Sequence, residues 1–356
     1  MTLSICLIVK NEEKVLGRCL ENASKIADEL IVVDTGSEDH SVEIAMRYTP
    51  KIYKHAWQND FSEARNYAFS LAHCEYVMWL DADDVIDDEN ISRFLKLKKE
   101  LDMKTDVVFT IYGSYTEDGL RSYILRDRII KRELNPKFVG EIHEAIPILP
   151  SWNCKYKPDI AITHKKEYVN EPTRNMDIFK MIIRKNRQMS DFEKANYCKE
   201  LVVAKQYKKA YDVFNELKHT ASNIDYYYGM YFLAPGLIEN KQYEDCIKEI
   251  EELERKNTIT AYMIYHKGIC YEKLGCRDEA EKSYLRALSI PEDPTTLYPQ
   301  KTGYDDYFPL LRLAELTARI GNEKKALVYV NKAAKAYPRN NAWKNTKINV
   351  LLLSTL

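Results

Sequence analysis

Apolar positions along the first 165 residues recur with two different periods. Short β-rich runs occupy 3–9 (LSICLIV), 29–34 (ELIVVD), 51–56 (KIYKHA), 75–81 (EYVMWLD) and 106–112 (DVVFTIY), and helical spacing fills 12–27, 40–48 and 61–73 between them. Strands separated by single helices predict a parallel sheet covered on both faces, because a parallel connection must cross over and a helix is the usual means. Ligands of such sheets bind beyond the carboxyl ends of the strands. Two polar clusters fall there: Asp34-Thr35-Gly36-Ser37 after the second run, and Asp81-Ala82-Asp83-Asp84 after the fourth. The fourth run, VMWL, drives straight into three carboxylates, which repel one another unless positive charge lies among them.

Beyond residue 165 the strand signals stop and a repeat begins. The segments 205–217 (KQYKKAYDVFNEL), 241–253 (KQYEDCIKEIEEL), 276–288 (CRDEAEKSYLRAL) and 322–334 (NEKKALVYVNKAA) align Ala210, Cys246, Ala280 and Ala326 at spacings of 36, 34 and 46. The third copy follows a companion helix carrying Gly268, and Pro291 closes the pair. Helix pairs with this period resemble a tetratricopeptide solenoid over about 195–340, with the last spacing lengthened by the insert 291–309. Such repeats stabilise one another by stacking. The chain therefore divides into an α/β, Rossmann-like domain over 1–165, a helical linker over 166–194, and an all-α tetratricopeptide-repeat domain over 195–356. Tyr226, Tyr227, Tyr228 and Tyr231 read as packing between repeats, with a docking surface as the alternative.

A length of 356 residues suits two domains. With 53 basic and 54 acidic residues the formal charge is −1, which argues against nucleic acid or an anionic membrane surface as partner. No apolar run approaches the roughly 20 residues of a membrane span, and MTLSICLIVKNEE has neither a basic leader nor a cleavage site, so a cytoplasmic protein without stable membrane insertion is expected. The eight cysteines form no CxxC pair and read as reduced thiols rather than disulfides or a zinc site.

Asp81 and Asp83, two apart in an extended chain, project to one side while Ala82 points away. A pair of hard oxygen ligands suits Mg²⁺ or Mn²⁺ carrying a diphosphate, although an Asp-rich turn after a strand can equally serve as a helix cap. Further stretches favour the first reading. SICLIVKNEE, ELIVVDTGSEDHS, DADD, WQNDFSEARNYA (57–68), and Arg128-Ile-Ile-Lys followed by NPKFVGEIHE (135–144) together resemble the family 2 glycosyltransferases of the GT-A fold. The set WxNDFSxARN, DAD(D/N) and FxGxxHE is similar to the tetratricopeptide-bearing branch that includes the sublancin-type S-glycosyltransferases. Val9-Lys10-Asn11 replaces the Pro-Thr-Tyr-Asn of the wider family, as in that branch, and the acceptor-side Glu-Asp pair of the wider family is missing.

The resemblance implies roles. The backbone of Val9 and the side chain of Glu12 line the base and ribose of a nucleotide-sugar. Asp34, with Ser37 beside it, contacts the base or ribose. Asp81 and Ala82 face the ribose and metal, and Asp83 ligates the metal, Mn²⁺ or Mg²⁺. Arg65, helped by Asn66, holds the diphosphate or sugar. His143 is a third metal ligand or a diphosphate contact, and Glu144 is the general base ahead of Glu141 and Asp127. Taken by themselves the residues leave other roles open: Glu12 as a first-turn helix residue, Asp34 and Asp60 as caps, His143 as a structural imidazole. The implied reaction is displacement with inversion at the anomeric carbon of a nucleotide-sugar, uridine being the expected nucleotide. The acceptor is expected to be a Cys, Ser or Thr side chain of a peptide or protein held by the repeats, with a lipid-linked or cell-wall saccharide as runner-up and a non-catalytic scaffold as the outlying reading. The apolar run 348–356 is expected to be a packed last helix or the contact of a homodimer.

Overall fold

The computed structural model describes residues 1–165, 167 and 173–353. Contacts divide it into two compact units, neither continuous in sequence: 1–114 with 124–188 and 294–297, and 115–123 with 189–293 and 298–356.

The first unit opens with a repeated strand–helix rhythm: β1 (Leu3–Val9), α1 (Leu16–Ser24), β2 (Glu29–Asp34), α2 (Ser41–Ala45), β3 (Ile52–Lys54), α3 (Phe61–Ser70) and β4 (Tyr76–Leu80). These four strands are parallel in the order β3-β2-β1-β4, as the apolar runs predict. Burial on both faces explains why β1, β2 and β4 are almost wholly apolar rather than alternating. After β5 (Asp84–Val85) and α4 (Asp88–Glu100) come β6 (Val107–Tyr115), β7 (Arg121–Lys131), β8 (Cys154–His164) and α5 (Arg174–Arg184).

Here the sheet departs from the expected parallel arrangement. The fifth apolar run forms β6 but does not pair with β4, because β7 lies between them and runs antiparallel to β4, with Val77 opposite Ile130. β8 returns parallel to β6, and its last residues pair antiparallel with β5, His164 lying opposite Asp84. The sheet is mixed, in the order β3-β2-β1-β4-β7-β6-β8-β5. It is an α/β, Rossmann-like GT-A arrangement whose second half curls back over the carboxyl end of β4.

The second unit consists of helix pairs: α6 (Asp191–Val203) with α7 (Tyr207–Leu217), α8 (Asn223–Glu239) with α9 (Tyr243–Arg255), and α10 (Ala261–Lys273) with α11 (Arg277–Ala287). The strand β9 (Gln300–Lys301) precedes α12 (Phe308–Ala318), which pairs with α13 (Glu323–Ala336), and α14 (Ala342–Leu353) follows. The four aligned residues Ala210, Cys246, Ala280 and Ala326 are fully buried, each in the first turn of the second helix of its pair. The tight turn inside each pair puts one residue at positive φ: Lys205 (57°), Lys241 (61°), Gly275 (77°) and Gly321 (76°). These four recur at the same spacings as the buried small residues, so the repeat is one of backbone conformation as well as sequence. Tyr226, Tyr227 and Tyr231 are buried packing residues. Tyr227 lies against Tyr298 of the insert and Tyr231 is stacked on Tyr262. In the last apolar run, Val350 of α14 is buried while Ile348, Leu351 and Leu352 are exposed; residues 354–356 lie outside the described residues.

Candidate functional site

The carboxyl ends of β1, β2 and β4 carry the polar loops of the first unit, and the first two loops are stitched together. The Ser37 hydroxyl accepts from Asn11 N–H (3.0 Å), Ser41 Oγ from Glu12 N–H (2.7 Å), and Asn11 Oδ1 from Glu38 N–H (2.8 Å). Asp34, buried, accepts from Ser37 N–H at 2.9 Å inside the loop, four residues short of α2, so it caps no helix, and the Val9 carbonyl accepts from Thr35 N–H at 2.9 Å. Val9, Asp34 and Ser37 thus frame a rigid edge, and Glu12 rises from it. Its Oε2 is buried with no hydrogen-bond partner. Burial first, then Asp83 and Asp81, push its carboxyl up to about 7.

At the end of β4 the chain does not stay extended. Asp84 N–H donates to the Asp81 carbonyl at 3.0 Å, closing a turn over 81–84, and Asp84 Oδ2 accepts from Asp81 N–H at 3.0 Å. Ala82 packs into the core. The turn gathers three carboxylates instead of the two that alternation in a strand projects, and the pairing of β5 with the end of β8 brings in an imidazole. One ligand atom from each of Asp81, Asp83, Asp84 and His164 lies within 4.8 Å of the others. His164 Nδ1 is 3.1 Å from Asp83 Oδ1, 3.3 Å from Asp84 Oδ1 and 2.8 Å from the Tyr112 hydroxyl, which in turn donates to Asp81 Oδ2 at 3.1 Å. Burial works against the imidazolium, but the two aspartates outweigh it and hold His164 up to about 9. Asp84 is buried and its carboxyl is raised, burial outweighing Arg128.

His143, the imidazole singled out by sequence, stands elsewhere. It is held at a φ of 54° with its ring facing Phe179 of α5, centroids 6.3 Å apart, and it is not among the four clustered ligands. Sequence reasoning passed over His164 because its neighbour in space, Asp84, is 80 residues away; the one local signal is a histidine closing the β-rich stretch IAITH.

Arg65 is also differently employed. α3 begins at Asp60, whose carboxylate caps it by accepting from Glu63 N–H at 3.0 Å. One turn in, the buried Arg65 donates from Nε to Glu144 Oε1 (2.5 Å) and from Nη2 to Asp81 Oδ1 (2.6 Å), with Trp79 beneath it at 4.7 Å. Burial alone would raise the Asp81 carboxyl, but Arg65 and Arg128 hold it well below the usual carboxylate range. Asn66 spends both arms of its amide on the Phe138 backbone, at 2.9 and 2.8 Å. The motifs around 60–66 and 138–144 therefore bind each other. Among the other base candidates, Glu141 pairs with Arg187 at 2.6 Å, and Asp127 is buried, with its carboxyl raised by that burial and Oδ2 lacking a partner.

Known proteins are similar to this chain chiefly over its first half. Residues 4–152 match the model of Glycosyl transferase family 2. The matched stretch runs from β1 to just before β8. A TPR repeat-containing protein of Synechococcus elongatus is 31% identical over 170 residues, covering 46% of this chain and 41% of that protein. The SPbeta prophage-derived glycosyltransferase SunS of Bacillus subtilis is 31% identical over 151 residues, covering 40% of this chain and 34% of that one. The chain thus spans well under half the length of either relative. Among solved structures, glucosyl-3-phosphoglycerate synthase from Mycobacterium tuberculosis in complex with Mg²⁺ and uridine diphosphate is 15% identical, covering 53% of this chain and 81% of that chain with a TM-score of 0.38, a likeness that adds nothing to the topology above. No helix among the described residues is long and apolar enough to cross a membrane.

Proposed function

We propose that the protein is a metal-dependent glycosyltransferase that moves a sugar from a nucleotide-sugar, with UDP-hexose the preferred donor, to a Cys, Ser or Thr side chain of a peptide or protein. The observation that carries the reading is the convergence of Asp81, Asp83, Asp84 and His164 at the carboxyl edge of a family 2 domain. Three carboxylates and one imidazole suit Mn²⁺ or Mg²⁺, and a buried Glu12 oxygen without a partner beside them indicates that a positive group belongs there. Such an ion, when bound, offsets the charge that grows on the departing diphosphate. The residues of the chain do the rest. Asp83 and His164 supply ligands, Tyr112 orients both Asp81 and His164, and the Val9, Asp34 and Ser37 edge with Glu12 receives the base and ribose.

Arg65 and Glu144 act as a clamp that fixes Asp81, in place of the diphosphate contact and general base expected of them. A hydroxyl acceptor still requires a base, since its own proton is tightly held near neutral pH, and Glu144 would have to leave Arg65 to serve. A thiol relaxes that demand because a few per cent is already ionised. This favours a Cys acceptor. The helical repeats support a peptide or protein rather than a saccharide acceptor, since stacked helix pairs present extended surfaces suited to a chain; with Tyr226, Tyr227 and Tyr231 buried, that surface lies on other residues. The exposed Ile348, Leu351 and Leu352 of α14 would support association of two copies.

The test is nucleotide release from UDP-, GDP- and dTDP-sugars with Mn²⁺ and no acceptor, in the wild type, Asp83→Ala, His164→Ala and His143→Ala. One donor is expected to be hydrolysed slowly by the wild type and His143→Ala, and not by the other two. Turnover surviving in Asp83→Ala and His164→Ala sinks the metal site, and absence of turnover or thermal stabilisation by any donor sinks the enzyme reading.

A further inference from the structure

Beneath the acidic turn lies a second arginine that the proposed reaction does not use. Arg128, on β7, is completely buried. Its guanidinium carbon is 3.6 Å from the centre of the Trp79 ring and 4.0 Å from that of Tyr112. Nη1 donates to the Trp79 carbonyl at 3.1 Å and lies 3.5 Å from Asp84 Oδ2, while Nε and Nη2 have no hydrogen-bond partner. Burying a guanidinium with two of its three nitrogens unpartnered is costly, and the aromatic faces and a single carboxylate offset only part of that cost. A methionine would fill the same slot between the rings without it, so packing does not account for an arginine here.

We propose that Arg128 is a positioning residue of the metal–diphosphate site, a permanent internal cation that balances Asp84 and backs Tyr112 so that Asp81, Asp83 and His164 are held ready for a divalent ion. The inference rests on the reading of that cluster as a metal site. Two contacts transmit the effect. Asp84 receives the Asp81 N–H, so whatever holds the Asp84 carboxylate holds the turn that presents the other ligands. The Tyr112 ring, pressed against the guanidinium, carries the hydroxyl shared between Asp81 and His164. Arg128 reaches Asp84 from beneath, with Nη1 3.5 Å from Oδ2, on the oxygen that also receives the Asp81 N–H. Lysine is a poor substitute, because a single ammonium cannot lie flat between two rings and still reach the carboxylate.

Mn²⁺ binding in the presence of UDP, followed by the electron paramagnetic resonance signal of free Mn²⁺, tests this on the full chain without reference to turnover. Arg128→Met is expected to weaken Mn²⁺ binding by about tenfold or more, the usual scale for residues that hold metal ligands, and Arg128→Lys by nearly as much. Adding Asp84→Asn to Arg128→Met removes the carboxylate that needs balancing, and is expected to restore binding to within about threefold of Asp84→Asn alone, a recovery a purely packing role would not produce. Arg128→Met that is folded and binds within twofold of wild type overturns the inference. Should Arg128→Met fail to fold, the double variant decides: folding with recovered binding supports the inference, and folding without it overturns it. A wild type that binds no Mn²⁺ with UDP removes the metal-site reading itself, and the inference with it.

Discussion

The Arg65 clamp separates two readings of the most arginine-dependent motif in the chain. Arg65 bridges Glu144 and Asp81, and the side-chain exposures are 8%, 10% and 28%. Replacing it with methionine keeps most of the volume but strands Glu144 almost wholly out of water and Asp81 partly so. Breaking a buried pair from one side costs roughly 3–5 kcal/mol, and the partial exposure of Asp81 places this case near the lower end, about 3 kcal/mol. Glu144→Gln keeps an acceptor for Arg65 Nε and should cost only about 1–2 kcal/mol. The double variant no longer strands Glu144, so it is expected to be more stable than Arg65→Met alone, a non-additivity of about 1–2 kcal/mol or more. Urea unfolding followed by tryptophan fluorescence supplies the free energies, and UDP affinity is measured on the same four proteins. If Arg65→Met unfolds within about 0.5 kcal/mol of wild type, the usual range for surface changes, while UDP affinity collapses, Arg65 contacts the ligand and the clamp is wrong.

Two further outcomes concern the helical unit. His266 is buried with its ring 4.2 Å from that of Tyr262, and burial drives its pKa down to about 4 from 6.5. The unfolded chain therefore takes up a proton between pH 6.5 and 4 that the folded chain refuses, so stability falls as pH drops through that window. The loss approaches about 3 kcal/mol at its lower end, and melting of wild type against His266→Gln at pH 7 and 5 should show it; equal pH dependence in both would refute it. In α10, a Cβ on Gly268 would sit 2.6 and 2.8 Å from ring carbons of the buried Tyr284. Overpacking of about 1–3 kcal/mol should exceed the helix-propensity gain of up to about 1, so Gly268→Ala is expected to lower the melting temperature by a few degrees, and a rise would contradict the close approach of α10 and α11.

What could be read from the sequence alone was whatever is encoded locally. The apolar runs of β1, β2, β4 and β6 stand out because a strand buried on both faces must be apolar throughout. The helix pairs stand out because each repeat carries a small residue at the same position, Ala210, Cys246, Ala280 and Ala326. The acidic turn was legible as a group of charges, and the resemblance of 2–165 to family 2 glycosyltransferases is matched by the family model over 4–152.

Tertiary structure decided how those pieces meet. β7 inserts antiparallel beside β4, and β8 carries too many polar residues to announce itself, yet its last residue pairs with Asp84 and delivers His164. The meeting of His164 with Asp84, the burial of Arg128 between Trp79 and Tyr112, and the capture of Arg65 by Glu144 and Asp81 all depend on partners 16 to 80 residues apart. Periodicity reports which face of an element is buried, and it is silent on which other element covers that face. Residue identity supplied the charges of the acidic turn, and strand pairing placed His164 rather than His143 beside them.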